Sequence, residues 1–241
     1  MTTHTESNPT AETTETSTLA ALILELDGVA LDTRTILCKA ATSALSKAGK
    51  KLNPGLFSRY GQHASAASLA RNLVEKLDVS GLSAEDLAES LSQSLETYLS
   101  KDAKLNAHVE KLIKAAQQRD LPVAVITALP EALAHATVER LGLTASHVRL
   151  FTFTDEEQGG FPRADVWLKV AKALGKNARF CVAVTSSQVS AKSALSAGMR
   201  CVVAPDSFTS HQDFGGTDVI LDTWEDLSAN DVLDAVVPMV R

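Results

Sequence analysis

The chain has little cysteine, no long apolar run and no concentration of basic residues, and each shortage argues against a class of protein. Cys38, Cys181 and Cys201 are odd in number and show neither CxxC nor metal-ligand spacing, which disfavours a disulfide framework or a zinc site and fits a reducing cytosol. No uninterrupted apolar stretch nears the roughly 20 residues that span a bilayer, and no hydrophobic signal core follows a basic start. A cytoplasmic protein with no membrane partner is therefore expected. Lys and Arg total 23 against 29 Asp and Glu, for a net charge of -6, and no basic cluster offers a footprint for nucleic acid. No internal repeat is evident. What remains is a chain of 241 residues, 45% hydrophobic, long enough for one core domain and a smaller insertion.

Residues 1–18 are mostly Thr, Ser, Glu and Asn, too polar to repay the entropy of ordering, so a flexible tail is expected there. The tail lacks the arginines of an organellar transit peptide. The chain is organised around the stretch that follows, Leu22-Ile23-Leu24-Glu25-Leu26-Asp27-Gly28-Val29-Ala30-Leu31-Asp32-Thr33. An apolar run with interleaved carboxylates that ends at glycine reads as a buried parallel strand delivering Glu25 and Asp27 to the carboxyl edge of a sheet. Two carboxylates at such an edge suit acid/base, nucleophilic or metal chemistry.

Beyond it, apolar spacing predicts helices from Ile36 to Ala48, over 64–77 and over 84–100, with a loop at Asn53-Pro54-Gly55 and no strand. Strand and helix then alternate. Strands are expected near 122–127, 148–153, 180–185, 200–203 and 218–221, and helices near 107–119, 130–141, 164–174, 188–197 and 229–238. Alternation of this kind implies right-handed crossovers and a mainly parallel sheet covered on both faces.

Asp27, Gly28, Val29, Asp32 and Thr33 resemble motif I of the haloacid dehalogenase (HAD) superfamily, Asp-x-Asp-Gly-Val/Thr followed by Asp-Ser/Thr. Glu25 stands where that family carries its aspartate nucleophile. The run ending in Thr127 resembles motif II, whose hydroxyl and following amide, here that of Ala128, hold the phosphoryl group. Gly160 to Leu168 resembles the motif III segment, in register through Pro162, Asp165 and Leu168, but Phe161 falls on the lysine. Arg163 and Lys169 are the nearby cations that could stand in for it. Cys181 to Met199 resembles motif IV and its helix, with Thr185 and Ser186 in place of the usual acidic pair. The closing segment, from Val202 to Asp222, is similar to that of the β-phosphoglucomutase-like branch.

The resemblance implies an α/β fold: a Rossmann-like HAD core, 19–34 and 105–241, with an inserted all-α cap, 35–104. It implies a site with Glu25 and Asp27 as a degenerate catalytic pair, and Thr127 and Ala128 for phosphate. Gly61 and His63 fall where relatives have a cap loop that contacts substrate. Relatives use Mg2+. Here the metal could rest only on Glu25, the Asp27 backbone and Ser186, so metal binding is expected to be weak or absent. Three readings stay open. The first is a HAD-like homologue with impaired phosphotransfer that binds a small phosphorylated metabolite or regulates. The second is an atypical metal-dependent phosphatase, and the third a structural or interaction protein. The oligomeric state is not specified.

Overall fold

The computed structural model describes residues 19–60, 65–153 and 162–237. Its sheet holds six parallel strands: β1 (Ala21–Glu25), β2 (Val123–Thr127), β3 (Arg149–Thr152), β4 (Cys181–Thr185), β5 (Arg200–Val203) and β6 (Val219–Ile220). Their spatial order is β3-β2-β1-β4-β5-β6. The apolar run of the sequence becomes β1, a central strand with Leu24 registered between Val125 and Val184. All residues of β1, β2 and β4 are buried, as strands covered on both faces require. The chain winds outward from β1 to β3 on one side and then restarts at β4 on the other. The order reverses between β1 and β4, where an open α/β sheet forms its crevice.

Nine helices, among the described residues, accompany the strands: α1 (Thr33–Lys47), α2 (Pro54–Tyr60), α3 (Ala66–Lys76), α4 (Ala84–Thr97), α5 (Ala107–Gln118), α6 (Glu131–Arg140), α7 (Ala164–Ala173), α8 (Gln188–Ser196) and α9 (Ala229–Ala235). Period-2 alternation divides the sheet between two cores. Ala21, Ile23, Ala124, Ile126 and Ala183 face Trp167, Val170 and Ala194 of α7 and α8. Leu22, Leu24, Val125 and Val184 belong to the other cluster with Val109, Leu112 and Ile113 of α5, and that cluster continues into Leu69, Leu73, Leu87 and Leu91 of α3 and α4. Those leucines recur at i and i+4, the spacing that places side chains on one helix face.

Two local expectations change. Asn53-Pro54-Gly55, read as a loop, instead opens α2. Proline at a first helical position loses no hydrogen bond, and Asn53 Oδ1 accepts from the Leu56 amide at 2.9 Å, so the apparent breaker is a helix start. The helix expected over 84–100 ends as α4 at Thr97 and widens into a π turn, Tyr98–Asp102. Arg140 of α6 ties that turn down, Nε to the Leu99 carbonyl and Nη2 to that of Ala103, both at 2.7 Å. The tail over 1–18, together with Gly61, His63 and Phe161, lies outside the described residues.

Candidate functional site

β1 ends at Glu25, and the next six residues fold into a tight loop at the sheet edge. Gly28, at φ +78°, lets the chain turn, its amide donating to the Leu31 carbonyl at 2.8 Å, and Leu31 returns a bond to Leu26 at 2.9 Å. Asp32 then caps α1 by accepting from the Thr35 amide. The loop sets Glu25, Asp27 and Arg34 around one point of the carboxyl edge.

Glu25 is 8% exposed, and both of its oxygens are engaged. Oε1 accepts from Ser190 Oγ in the first turn of α8 at 2.6 Å, and Oε2 accepts from the Ser186 amide at 3.3 Å. Burial pushes its carboxyl up to about 7; the Ser190 hydroxyl, the Arg34 charge and the Ser186 amide pull the other way, and the charge of Asp27 adds a small upward push. The longer side chain of glutamate has thus found partners in the sheet-to-helix junction after β4.

Asp27 Oδ2 accepts from Thr127 Oγ1 at 2.6 Å, and Thr127 Oγ1 accepts in turn from the Leu129 amide at 3.1 Å. Burial raises the Asp27 carboxyl above its ordinary value, opposed by Thr127, Arg34, Thr33 and its own backbone. The structure therefore brings together Asp27 and Thr127, two of the residues singled out by sequence. Ala128 follows directly at the end of β2.

The positive charge of the site comes from a residue that sequence reasoning passed over. Arg34 Nη1 donates to Asp206 Oδ2 at 2.6 Å and to Ser186 Oγ at 3.0 Å, and the side chain is only 11% exposed. Its guanidinium lies on Gly28: a Cβ there would stand 2.4 Å from Nη1. Asp206 is itself held, Oδ1 accepting from the Phe208 amide at 2.8 Å and from Thr209 Oγ1 at 3.1 Å. Arg163 and Lys169, the cations closer to the motif III segment, are exposed and pair with Asp165 instead. A signal for Arg34 did exist. A cation in the first turn of a helix opposes the helix dipole, so its presence directly after Asp32-Thr33 asks for a local anion. Ser190 and Asp206 carried no such signal.

Sheet, crevice and loop together define the class. A family model for haloacid dehalogenase-like hydrolases matches residues 19–198, and the chain belongs to that family. In three dimensions it is similar to CbbY from Rhodobacter sphaeroides, solved in complex with phosphate, at 19% identity with a TM-score of 0.71, covering 87% of this chain and 96% of that one. It is also similar to a β-phosphoglucomutase from Clostridium difficile at 17% identity and a TM-score of 0.70, covering 90% and 97%. By sequence it is 22% identical over 231 residues to protein SUPPRESSOR OF QUENCHING 1, chloroplastic, of Arabidopsis thaliana, covering 93% of this chain and 21% of that protein. The chain spans between a fifth and about a third of the curated relatives it matches.

The Mg2+ implied by the family does not suit the residues present. The two oxygens of Glu25 face a hydroxyl and an amide that already donate to them, and the hydroxyl of Ser186 accepts from a guanidinium. Thr185 Oγ1 is fully buried and has no hydrogen-bond partner among the described residues, and a neutral hydroxyl is a poor replacement for the carboxylate a divalent ion would need there. Among the described residues, no three His, Cys, Asp or Glu side chains converge as a metal would need. What the arrangement offers chemically is a buried carboxyl at Asp27 that can hold or release a proton, with the Arg34 guanidinium as the positive charge beside it.

Proposed function

We propose that this chain is a ligand-binding or regulatory member of the phosphatase and phosphoglucomutase-like branch of its family, with phosphotransfer impaired. One observation carries the reading: the carboxylate in the nucleophile's place has both oxygens turned into hydrogen bonds with Ser190 and Ser186. Attack on phosphorus needs an ionised oxygen within near-attack reach of the substrate, and misplacement of about 1 Å can cost on the order of 100-fold. Glu25 is turned toward Ser190 of α8 and Ser186, and burial raises its carboxyl to about 7, so near neutral pH only part of the population is ionised and neither oxygen is free for attack. Thr127, Ala128 and Arg34 are the groups we assign to a phosphoryl oxyanion, with the helical cap, 35–104, contributing the contacts to the rest of the ligand.

A small phosphorylated metabolite is the ligand class this supports. CbbY structures have been solved with phosphate and with xylulose-(1,5)bisphosphate, which makes sugar bisphosphates the first compounds to try. Nucleic acid finds no basic cluster to bind, and no described helix is long and apolar enough to cross a membrane. The three cysteines are free and buried, in keeping with a reducing cytosol.

The test is thermal shift against inorganic phosphate and a panel of sugar phosphates. Stabilisation that vanishes in Thr127→Val supports binding, and a flat response across the panel contradicts it.

A second reading keeps catalysis. It is favoured by the Thr127–Asp27 hydrogen bond and the raised Asp27 carboxyl, which preserve an acid/base group in a cleft. In that reading Glu25 swings away from Ser190 when substrate binds.

A further inference from the structure

One guanidinium, that of Arg34, serves the carboxyl edge of the sheet. Asp206 touches Arg34 directly at 2.6 Å, while Glu25 and Asp27 both feel its charge. The same Nη1 donates to Ser186 Oγ at 3.0 Å. Ser186 belongs to the pair of hydroxyl residues that stands in place of the acidic pair of motif IV, so the guanidinium lies against the position from which a metal would be held. Gly28 makes this placement possible, since a side chain there would overlap Nη1, Cζ and Nη2, at 2.4, 2.6 and 2.9 Å from a Cβ.

The chemistry of the two kinds of cation separates them cleanly. A divalent ion demands several anionic or carbonyl oxygens with free lone pairs at close range. Arginine needs only acceptors for N–H groups, stays charged at any pH a protein survives, and is tethered, so it costs no binding entropy when the site must be neutralised. With Nη1 committed to Asp206 and Ser186, a metal ion at the same spot would meet a fixed positive charge in a largely buried place, where screening is weak.

We propose that Arg34 is the resident cation of this cleft, standing in the space and supplying the charge of a divalent metal, so that the site is neutralised by the chain itself. Asp206 and Gly28 are positioning residues for it, one anchoring the guanidinium and the other giving it room. This holds whether or not turnover survives, because it concerns what fills the cation's place.

The experiment uses the full chain and the metal alone. Free Mn2+ is followed by electron paramagnetic resonance, and the melting temperature is recorded with and without Mg2+, for the wild type, R34K, R34S and R34Q. The wild type and R34K are expected to leave the Mn2+ signal and the melting temperature unchanged. R34S and R34Q, which free Asp206 and the Ser186 hydroxyl and remove the fixed positive charge beside Asp27, are expected to bind Mn2+ more tightly than wild type by about tenfold or more, to gain stability from Mg2+, and to lose both effects when Asp27→Asn is added. Two serine or glutamine variants of different bulk guard against one failing to fold, and the wild-type arm decides independently of both. Mn2+ uptake by the wild type that Asp27→Asn abolishes would overturn the proposal. So would a folded R34S or R34Q that takes up no more Mn2+ than the wild type.

Discussion

The Ser190 hydroxyl donates to Glu25 Oε1 at 2.6 Å, joining the end of β1 to the first turn of α8 across 165 positions of sequence. Ser190 is fully buried, and Ser187, which caps α8 by accepting from the Ser190 amide at 3.4 Å, holds it in place. The bond explains how one extra methylene is accommodated in β1 without breaking the sheet: the longer carboxylate is absorbed by a serine across the crevice.

Ser190→Ala tests that accommodation. It leaves a buried carboxylate oxygen without its donor, which costs on the order of 1–3 kcal/mol. Urea unfolding checks it, and the loss should shrink when Glu25 is already Gln, since the two residues act as one unit.

The raised carboxyl of Glu25 has a consequence for pH. Its folded value of about 7 lies above the ordinary 4.5, so the folded state holds the proton more tightly than the unfolded state. The stability this gives is present below about 4.5, falls as pH rises from there to about 7, and is level above. Glu25→Gln removes the share of the dependence that belongs to Glu25. Its amide can turn its oxygen to the Ser186 amide and its NH2 to Ser190 Oγ, so the packing survives. The variant is expected to melt higher than wild type at pH 8, by up to about 3 kcal/mol in stability, with little difference at pH 4.5. Equal melting curves at both pH values would contradict the assignment. Asp27, raised in the same direction, adds to the wild-type slope and leaves a smaller one in the variant.

Gly28→Ala addresses the seat of Arg34. The new Cβ would lie 2.4 Å from Nη1, on a backbone at φ +78° that a residue with a side chain rarely adopts. Strain of this kind costs on the order of 1–3 kcal/mol. The guanidinium must move as well, so Asp206→Asn, which weakens the Arg34 ion pair, should cost less in the Gly28→Ala background than alone. Chemical denaturation of the four proteins measures both effects.

Much of this architecture was legible in the sequence because it rests on local signals. Buried parallel strands announce themselves as apolar runs, and β1, β2 and β4 were placed within a residue or two. Serine, asparagine and proline mark helix starts, although Asn53-Pro54-Gly55 carries the composition of a loop and opens α2 instead. The family's motifs supplied Glu25, Asp27 and Thr127, and the structure unites Asp27 with Thr127. What sequence could not supply were the long-range partners. Ser190, Asp206 and Arg34 meet the loop after β1 only through sheet order, and no spacing rule connects residues 34 and 206. The direction of the Glu25 side chain was likewise invisible: alternation set its side of the strand, while the donors after β4 settled which way its carboxylate turns.

With Glu25 turned to Ser190 and Ser186, the nucleophile's position is not expected to serve attack on phosphorus. Phosphate release from a panel of sugar phosphates and bisphosphates, with Mg2+ or Mn2+ present, compares purified wild type with Asp27→Ala most directly. The two proteins are expected to release phosphate at the same background rate. Release by the wild type that disappears in Asp27→Ala would contradict this, and would make Glu25 a working carboxylate that leaves Ser190 when substrate arrives.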